Sequence, residues 1–191
     1  MWRTNNALTP DPELEPGLLT SSPWDWPLLT KGIRMSSWAD NAVKFYMLGN
    51  PLIWWGSALS VLAISALSVL HLIRYQRNPL IEKSKFRKAA QIALGGWILH
   101  YFPFFIMGRV TYLHHYFPAL FYAILCSGLL FDEILSSTKK AGLETVLVLL
   151  LSFIIFASFV HFAPICYGMT GPASDYATRL WRSSWNLVDL K

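Results

Sequence analysis

Residues 95–122 read GGWILHYFPFFIMGRVTYLHHYFPALFY. The tetrapeptide HYFP starts at His100 and again at His115, with Arg109 between the copies, in otherwise almost wholly apolar surroundings. A single helix over residues 89–131 would be about 65 Å long, roughly twice the hydrocarbon thickness of a bilayer. The chain must therefore turn, and Gly108 beside Arg109 is the best place for it. Two apolar helices then flank a tight hairpin. His115 opens the descending helix, and His100 lies about two turns inside the ascending one. Pro103 and Pro118 can each free a backbone carbonyl, so polar groups from both limbs are expected to converge at one membrane surface.

Outward from this hairpin, the composition repeats the same signal. The chain has 191 residues, of which 54% are hydrophobic and only 14% charged, against about 25% charged in a soluble domain. The deficit falls in four blocks, Pro51–Ile73, Ala89–Met107, Tyr116–Phe131 and Thr145–Ala163. Each is near the length a spanning helix needs, about 17–25 residues, with the third slightly short. The expected fold is an all-α membrane protein with four transmembrane helices at residues 51–73, 89–107, 116–131 and 145–163. A leader, residues 1–50, precedes this region and a tail, residues 164–191, follows it.

Basic residues in short loops orient such a chain. The first loop, 74–88, holds Arg74, Arg77, Lys83, Lys85, Arg87 and Lys88 against Glu82. The third holds Lys139 and Lys140, whereas the second holds Arg109 alone. Loops one and three are expected in the cytosol, with leader, hairpin and tail on the opposite side. The net charge of +5 reflects this topology and gives no sign of a nucleic-acid partner. The start lacks the basic residues and apolar run of a signal peptide, so a chain whose polar leader must cross the membrane reads as the C-terminal part of a longer polytopic protein, with a genuinely short protein as the alternative. Cys126, inside the third span, and Cys166, just past the fourth, are expected not to pair.

The leader opens with loop-forming residues, and PWDWP (23–27) restricts the residues before its prolines. Ser37 and Asp40 give a capping pattern for a short helix ending at Gly49. That helix is expected either to lie on the membrane, with Trp38, Phe45, Tyr46 and Met47 in the headgroups, or to pack on protein. Trp54 and Trp55 at the start of the first span read as interfacial anchors.

Chemistry concentrates in the hairpin. Arg109 stays charged at any cellular pH and offers a planar fork of donors suited to phosphate. Tyr112, His114 and His115 add donors within two helical turns, although neighbouring histidines on an α-helix point about 100° apart. Two readings stay open: ordinary snorkelling of Arg109 at an interface, and a clamp for a lipid-linked phosphate. His100 and His161 could also face one another as haem ligands; His71, at the far end of its span, cannot join them.

GNPLIWW (49–55), GRVTYLHHYFPAL (108–120) and YGMTGPASDYATRLWRSSW (167–185) resemble the C-terminal four-span region of the protein O-mannosyltransferases. The leader segments MWRTNNAL and SSPWDWPLLTKGIRMSSWADN are similar to the stretch after the lumenal MIR domains of fungal members. The resemblance covers essentially the whole chain. It implies the C-terminal part of a GT-C glycosyltransferase fold in the endoplasmic reticulum membrane, with N- and C-termini lumenal. It also implies transfer of mannose from dolichyl phosphate mannose to Ser or Thr of secretory proteins, and a dimer with another mannosyltransferase subunit. No cofactor and no metal are implied. The family's catalytic carboxylate belongs to an acidic pair in the first lumenal loop, and this sequence carries no counterpart. Asp11, Glu13, Glu15, Asp25, Asp40 and Asp175 lie outside any such motif. The chain alone is therefore expected to be inactive, with no catalytic residue of its own. Arg109, Tyr112, His114 and His115 are expected to position the lipid phosphate and substrate. A non-catalytic four-span subunit of a glycosyltransferase complex is the alternative.

Overall fold

The structure, a computed structural model, describes residues 20–35, 38–39, 41–78, 85–138 and 142–187. Four helices run up and down. Helix α1 is Pro51–Arg77, α2 is Lys85–Tyr101, α3 is Phe117–Thr138 and α4 is Leu143–Tyr167. Asn50 caps α1: its side-chain oxygen accepts from the Leu52 and Ile53 amides, and Pro51 occupies a first-turn position where no N–H is needed.

Helices α1, α2 and α3 form the packed unit. Trp54, Ser57, Val61 and Ile64 are buried along α1, Ala90, Ala93 and Tyr101 along α2, and Tyr116, Ala119, Ala123 and Cys126 on and just before α3. Steps of three, four and eight residues put each set on one helical face. The alanines let the backbones approach closely, as small residues do between membrane helices. Gly96 serves the same end, since a Cβ there would come within 2.4 Å of the Tyr122 ring. Gly96→Ala is therefore expected to destabilise the α2–α3 contact by about 1–3 kcal/mol. Gly108→Ala should be silent, because a Cβ there meets nothing within 4 Å and Gly108 has no positive φ. Thermal melting of the two variants in detergent checks the contrast.

Helix α4 is different. It touches the rest through Ser158, Phe162 and Ile165 and leaves Leu149, Phe153, Phe156 and Val160 exposed. Asn50 ties it to α1, donating from Nδ2 to the Ile155 carbonyl at 3.2 Å and accepting from Ser158 Oγ at 3.2 Å. Pro164 lies inside α4 and lacks an N–H; in the same turn the His161 carbonyl accepts from Arg179 Nε at 2.8 Å.

The stretches Pro51–Arg77, Leu113–Ser137 and Leu143–Tyr167 are long and apolar enough to cross a membrane. The expected second span, residues 89–107, is not one helix: α2 has 17 residues and stops at Tyr101, and a 3-10 turn, Phe102–Phe105, continues it. Pro103 explains the break, because proline disfavours helical backbone in the residue before it.

Leader and tail close over the hairpin end of the bundle. Strands β1 (Ile33–Met35) and β2 (Phe45–Met47) pair antiparallel with Arg34 opposite Tyr46, and Lys44 bridges Met169 just beyond α4. The short helix expected to end at Gly49 is thus replaced by a strand. Phe45 faces out and Tyr46 in, a period of two, and Tyr46 is buried rather than set among headgroups. Its hydroxyl accepts from the Gly32 amide and donates to Asn186 Oδ1, both at 3.0 Å. Burial raises its pKa, so the hydroxyl remains a donor at neutral pH. Ser37 and Asp40, the expected cap, lie outside the described residues. The same Ser-x-x-Asp spacing at Ser22 and Asp25 does form a capping box, around the 3-10 turn Pro23–Asp25.

The buried cluster at this end joins all these parts: Trp26, Leu29, Tyr46, Trp54, Tyr101, Leu113, Tyr116, Ile165, Met169 and Trp185. Trp185 Nε1 donates to the Leu29 carbonyl at 2.8 Å, and Trp55 Nε1 and Arg182 Nη1 both reach the Leu28 carbonyl at 2.9 Å. At the opposite end, Arg87 of α2 meets His71 of α1.

Candidate functional site

The hairpin bends between Ile106 and Tyr112, and a 3-10 turn, Leu113–Tyr116, leads into α3. His115 therefore sits in that turn and not yet in the α-helix. Pro118 falls in the first turn of α3, where its missing N–H costs nothing, and the Phe117 amide bonds the His114 carbonyl. The carbonyl that Pro118 was expected to free is satisfied.

The four expected residues come together. Arg109 Nη2 lies 3.1 Å from His115 Nε2. A guanidinium only donates, so this contact is a hydrogen bond while Nε2 carries no proton. On the other side of the ring the Tyr112 amide donates to Nδ1 at 2.9 Å, and the Tyr112 carbonyl lies 3.1 Å from the same atom. The Tyr112 backbone thus fixes the ring of His115, which turns Nε2 toward the arginine. His114 and His115 stack with ring centroids 4.4 Å apart, and Tyr112 lies 5.5 Å from His114 at 11° between planes. The tighter 3-10 turn and this stacking bring the two imidazoles side by side, against the divergence expected for an α-helix.

Burial grades across the group. Arg109 and His114 are exposed, Tyr112 and His115 half-buried. Among the described residues, His115 is the sole hydrogen-bond partner of Arg109, so most of its five donors face outward unused. Helix positions alone do not create this; the floor beneath does. His115 stacks on Trp26 at 6.3 Å and meets Phe104 at 5.4 Å. Trp26 is fully buried, its Nε1 donates to Ser21 Oγ at 2.9 Å, and its carbonyl accepts from Trp54 Nε1. Thr111 clamps the same segment: its carbonyl accepts from the Ser21 amide at 3.0 Å and its hydroxyl donates to the Ser21 carbonyl at 2.7 Å. Tyr101 donates to the Pro23 carbonyl at 2.9 Å.

His100 does not join the group. Its Nδ1 bonds the Gly96 carbonyl at 2.8 Å and its ring stacks on Tyr122 of α3. His161 packs instead on Phe162 and Trp181, so the two histidines share no neighbour in these contacts. Sequence reasoning missed Trp26, Ser21 and Thr111. The prolines around Trp26 mark a fixed turn, but no spacing rule links residue 26 to residue 115.

Fold and site together define a multi-pass helical membrane protein with a cationic, aromatic-floored bend at one end of its bundle. Residues 1–185 match the family described as the C-terminal four-transmembrane region of protein O-mannosyltransferase. The chain is 36% identical over 198 residues to dolichyl-phosphate-mannose–protein mannosyltransferase 3 of Saccharomyces cerevisiae, covering 99% of this chain and 26% of that protein. It is 34% identical to protein O-mannosyl-transferase 2 of Danio rerio, over 97% of this chain and 26% of that one. Among solved structures, the S. cerevisiae Pmt1–Pmt2 complex bound to the sugar donor superposes with a TM-score of 0.76 at 28% identity, over 97% of this chain and 25% of that chain. The chain belongs to the protein O-mannosyltransferase family, and its fold is the C-terminal part of the GT-C arrangement. It spans about a quarter of the length of the relatives it matches.

Proposed function

We propose that this chain supplies the donor-lipid end of a dolichyl-phosphate-mannose–protein mannosyltransferase, which moves mannose from dolichyl phosphate mannose to Ser or Thr of secretory proteins. The observation that carries the reading is the outward fork of Arg109, held from behind by His115 at 3.1 Å. As the sugar–phosphate bond breaks, negative charge grows on the departing lipid phosphate, and a preset guanidinium stabilises that charge without reorganising. His114 and Tyr112 flank the same opening and offer further donors to phosphate or sugar hydroxyls. These four residues position the donor. The base that activates the acceptor hydroxyl is not assigned within this chain, and the reading needs neither metal nor cofactor.

In this reading the site lies on the lumenal face of the endoplasmic reticulum membrane, with both termini there. A second mannosyltransferase subunit is the proposed partner, supported by the two-subunit assembly of the solved relative. Mannosyl transfer by a full-length enzyme carrying Arg109→Ala, at matched expression, tests the reading: reduced transfer supports it and full activity contradicts it. The orientation has its own test. A tag at Lys191 should resist protease in sealed microsomes and be cut only after the membrane is opened; cleavage in sealed vesicles contradicts a lumenal tail.

A further inference from the structure

Between Lys88 and Tyr101, α2 offers only 13 residues free of formal charge, counted as 101 minus 88. At 1.5 Å per residue they cover about 20 Å, against a hydrocarbon thickness of about 30 Å. The 3-10 turn Phe102–Phe105 that follows can supply about 8 Å more at ~2 Å per residue. Its side chains suit that depth. Phe102 is 53% and Ile106 88% exposed, and Trp24, edge-on to Phe105 at 4.9 Å, is 75% exposed. This apolar lip is confined to one side, since Trp26, Leu113 and Tyr116 next to it are buried. Ile98 and Leu99, in the last turns of α2, are exposed as well. Arg109, exposed as well, follows three residues after Ile106.

We propose that residues 102–107, with Trp24, form a membrane-dipping lip that occupies the acyl–headgroup boundary of the leaflet on the hairpin side and holds Arg109 at phosphate depth. The occupant of this surface is lipid. Three observations favour lipid over a protein partner: the deficit in α2, the exposure of its own apolar residues Ile98 and Leu99 near the lip, and the complementary charge of Arg109. The lip completes the second crossing that α2 alone is too short to make. This inference rests on the span assignment and is independent of whether Arg109 serves a sugar donor.

The test uses the full chain in phosphatidylcholine nanodiscs, with Ile106→Cys carrying an environment-sensitive fluorophore and the identically treated parent chain as blank. Ser174→Cys, on the exposed tail, reports the aqueous side, and Phe102→Cys is a second lip site. A probe 5–10 Å inside the interface should lose roughly half its emission to a nitroxide placed high on the lipid acyl chain, and little to aqueous iodide. Ser174→Cys should show the reverse. Iodide quenching at both lip sites overturns the proposal. So does protection from both quenchers, which would mean that protein, not lipid, covers the lip. Arg109→Ala can leave mannosyl transfer intact while the lip still reads as buried in lipid, so the two readings fail separately.

Discussion

Trp26→Ala is expected to be the most damaging single substitution in the leader, lowering stability by about 3–5 kcal/mol. The ring is fully buried and touches Tyr101, Phe104, His115 and Tyr116. Truncation leaves a cavity between leader and hairpin that two tied backbones cannot close. It also strands Ser21 Oγ, which now accepts from the indole. Because His115 rests on that ring, the variant should disturb the site as well as the fold. Trp26→Phe keeps most of the volume but loses the N–H, and should cost visibly less. Thermal melting in detergent, alongside limited proteolysis of the leader, reads both variants. A Trp26→Ala protein as stable as the parent would show that the leader does not brace the hairpin.

Arg109→Ala is expected to reduce mannosyl transfer by about 10- to 100-fold without impairing membrane insertion. A hydrogen bond to a charged group is worth about 1.5–3 kcal/mol, and each ~1.4 kcal/mol is a factor of ten. Arg109 lies on an exposed bend that no buried contact depends on, so insertion and folding should be spared. Arg109→Lys should recover part of the rate, because the charge remains while the planar fork is lost. His115→Phe separates positioning from direct contact. The ring keeps its stacking on Trp26 but cannot accept from Arg109, whose exposed donors water can satisfy instead. Its loss should be several-fold and smaller than that of Arg109→Ala. Equal losses in both variants would argue that His115 touches the substrate itself.

The apolar blocks were legible because spanning helices need length and little else, so α1, α3 and α4 begin within two residues of where composition puts them. Their ends were less so: α1 runs on to Arg77 and α3 to Thr138, because a helix keeps its hydrogen bonds beyond the hydrocarbon and does not stop where apolar residues do. The second span misled for a local reason. Hydropathy counts Phe102, Phe104 and Phe105 as span, whereas the backbone breaks at Pro103. Residues 38–49 misled for another: three residues of alternation at Phe45–Met47 are too short to outweigh an apparent helix cap, and their pairing with β1 depends on residues ten or more positions away. At the site, charge type and proximity in sequence picked out Arg109, Tyr112, His114 and His115, which do cluster. The floor was illegible, because Trp26 reaches His115 only through tertiary folding.

The account turns on whether the exposed guanidinium at the hairpin binds an anionic lipid head. The dissociation constant of dolichyl phosphate, without its sugar, from a nanodisc-embedded full-length enzyme measures this directly in parent and Arg109→Ala forms. Weakening by about 10- to 100-fold in the variant is the predicted result. Identical constants for the two proteins would contradict it.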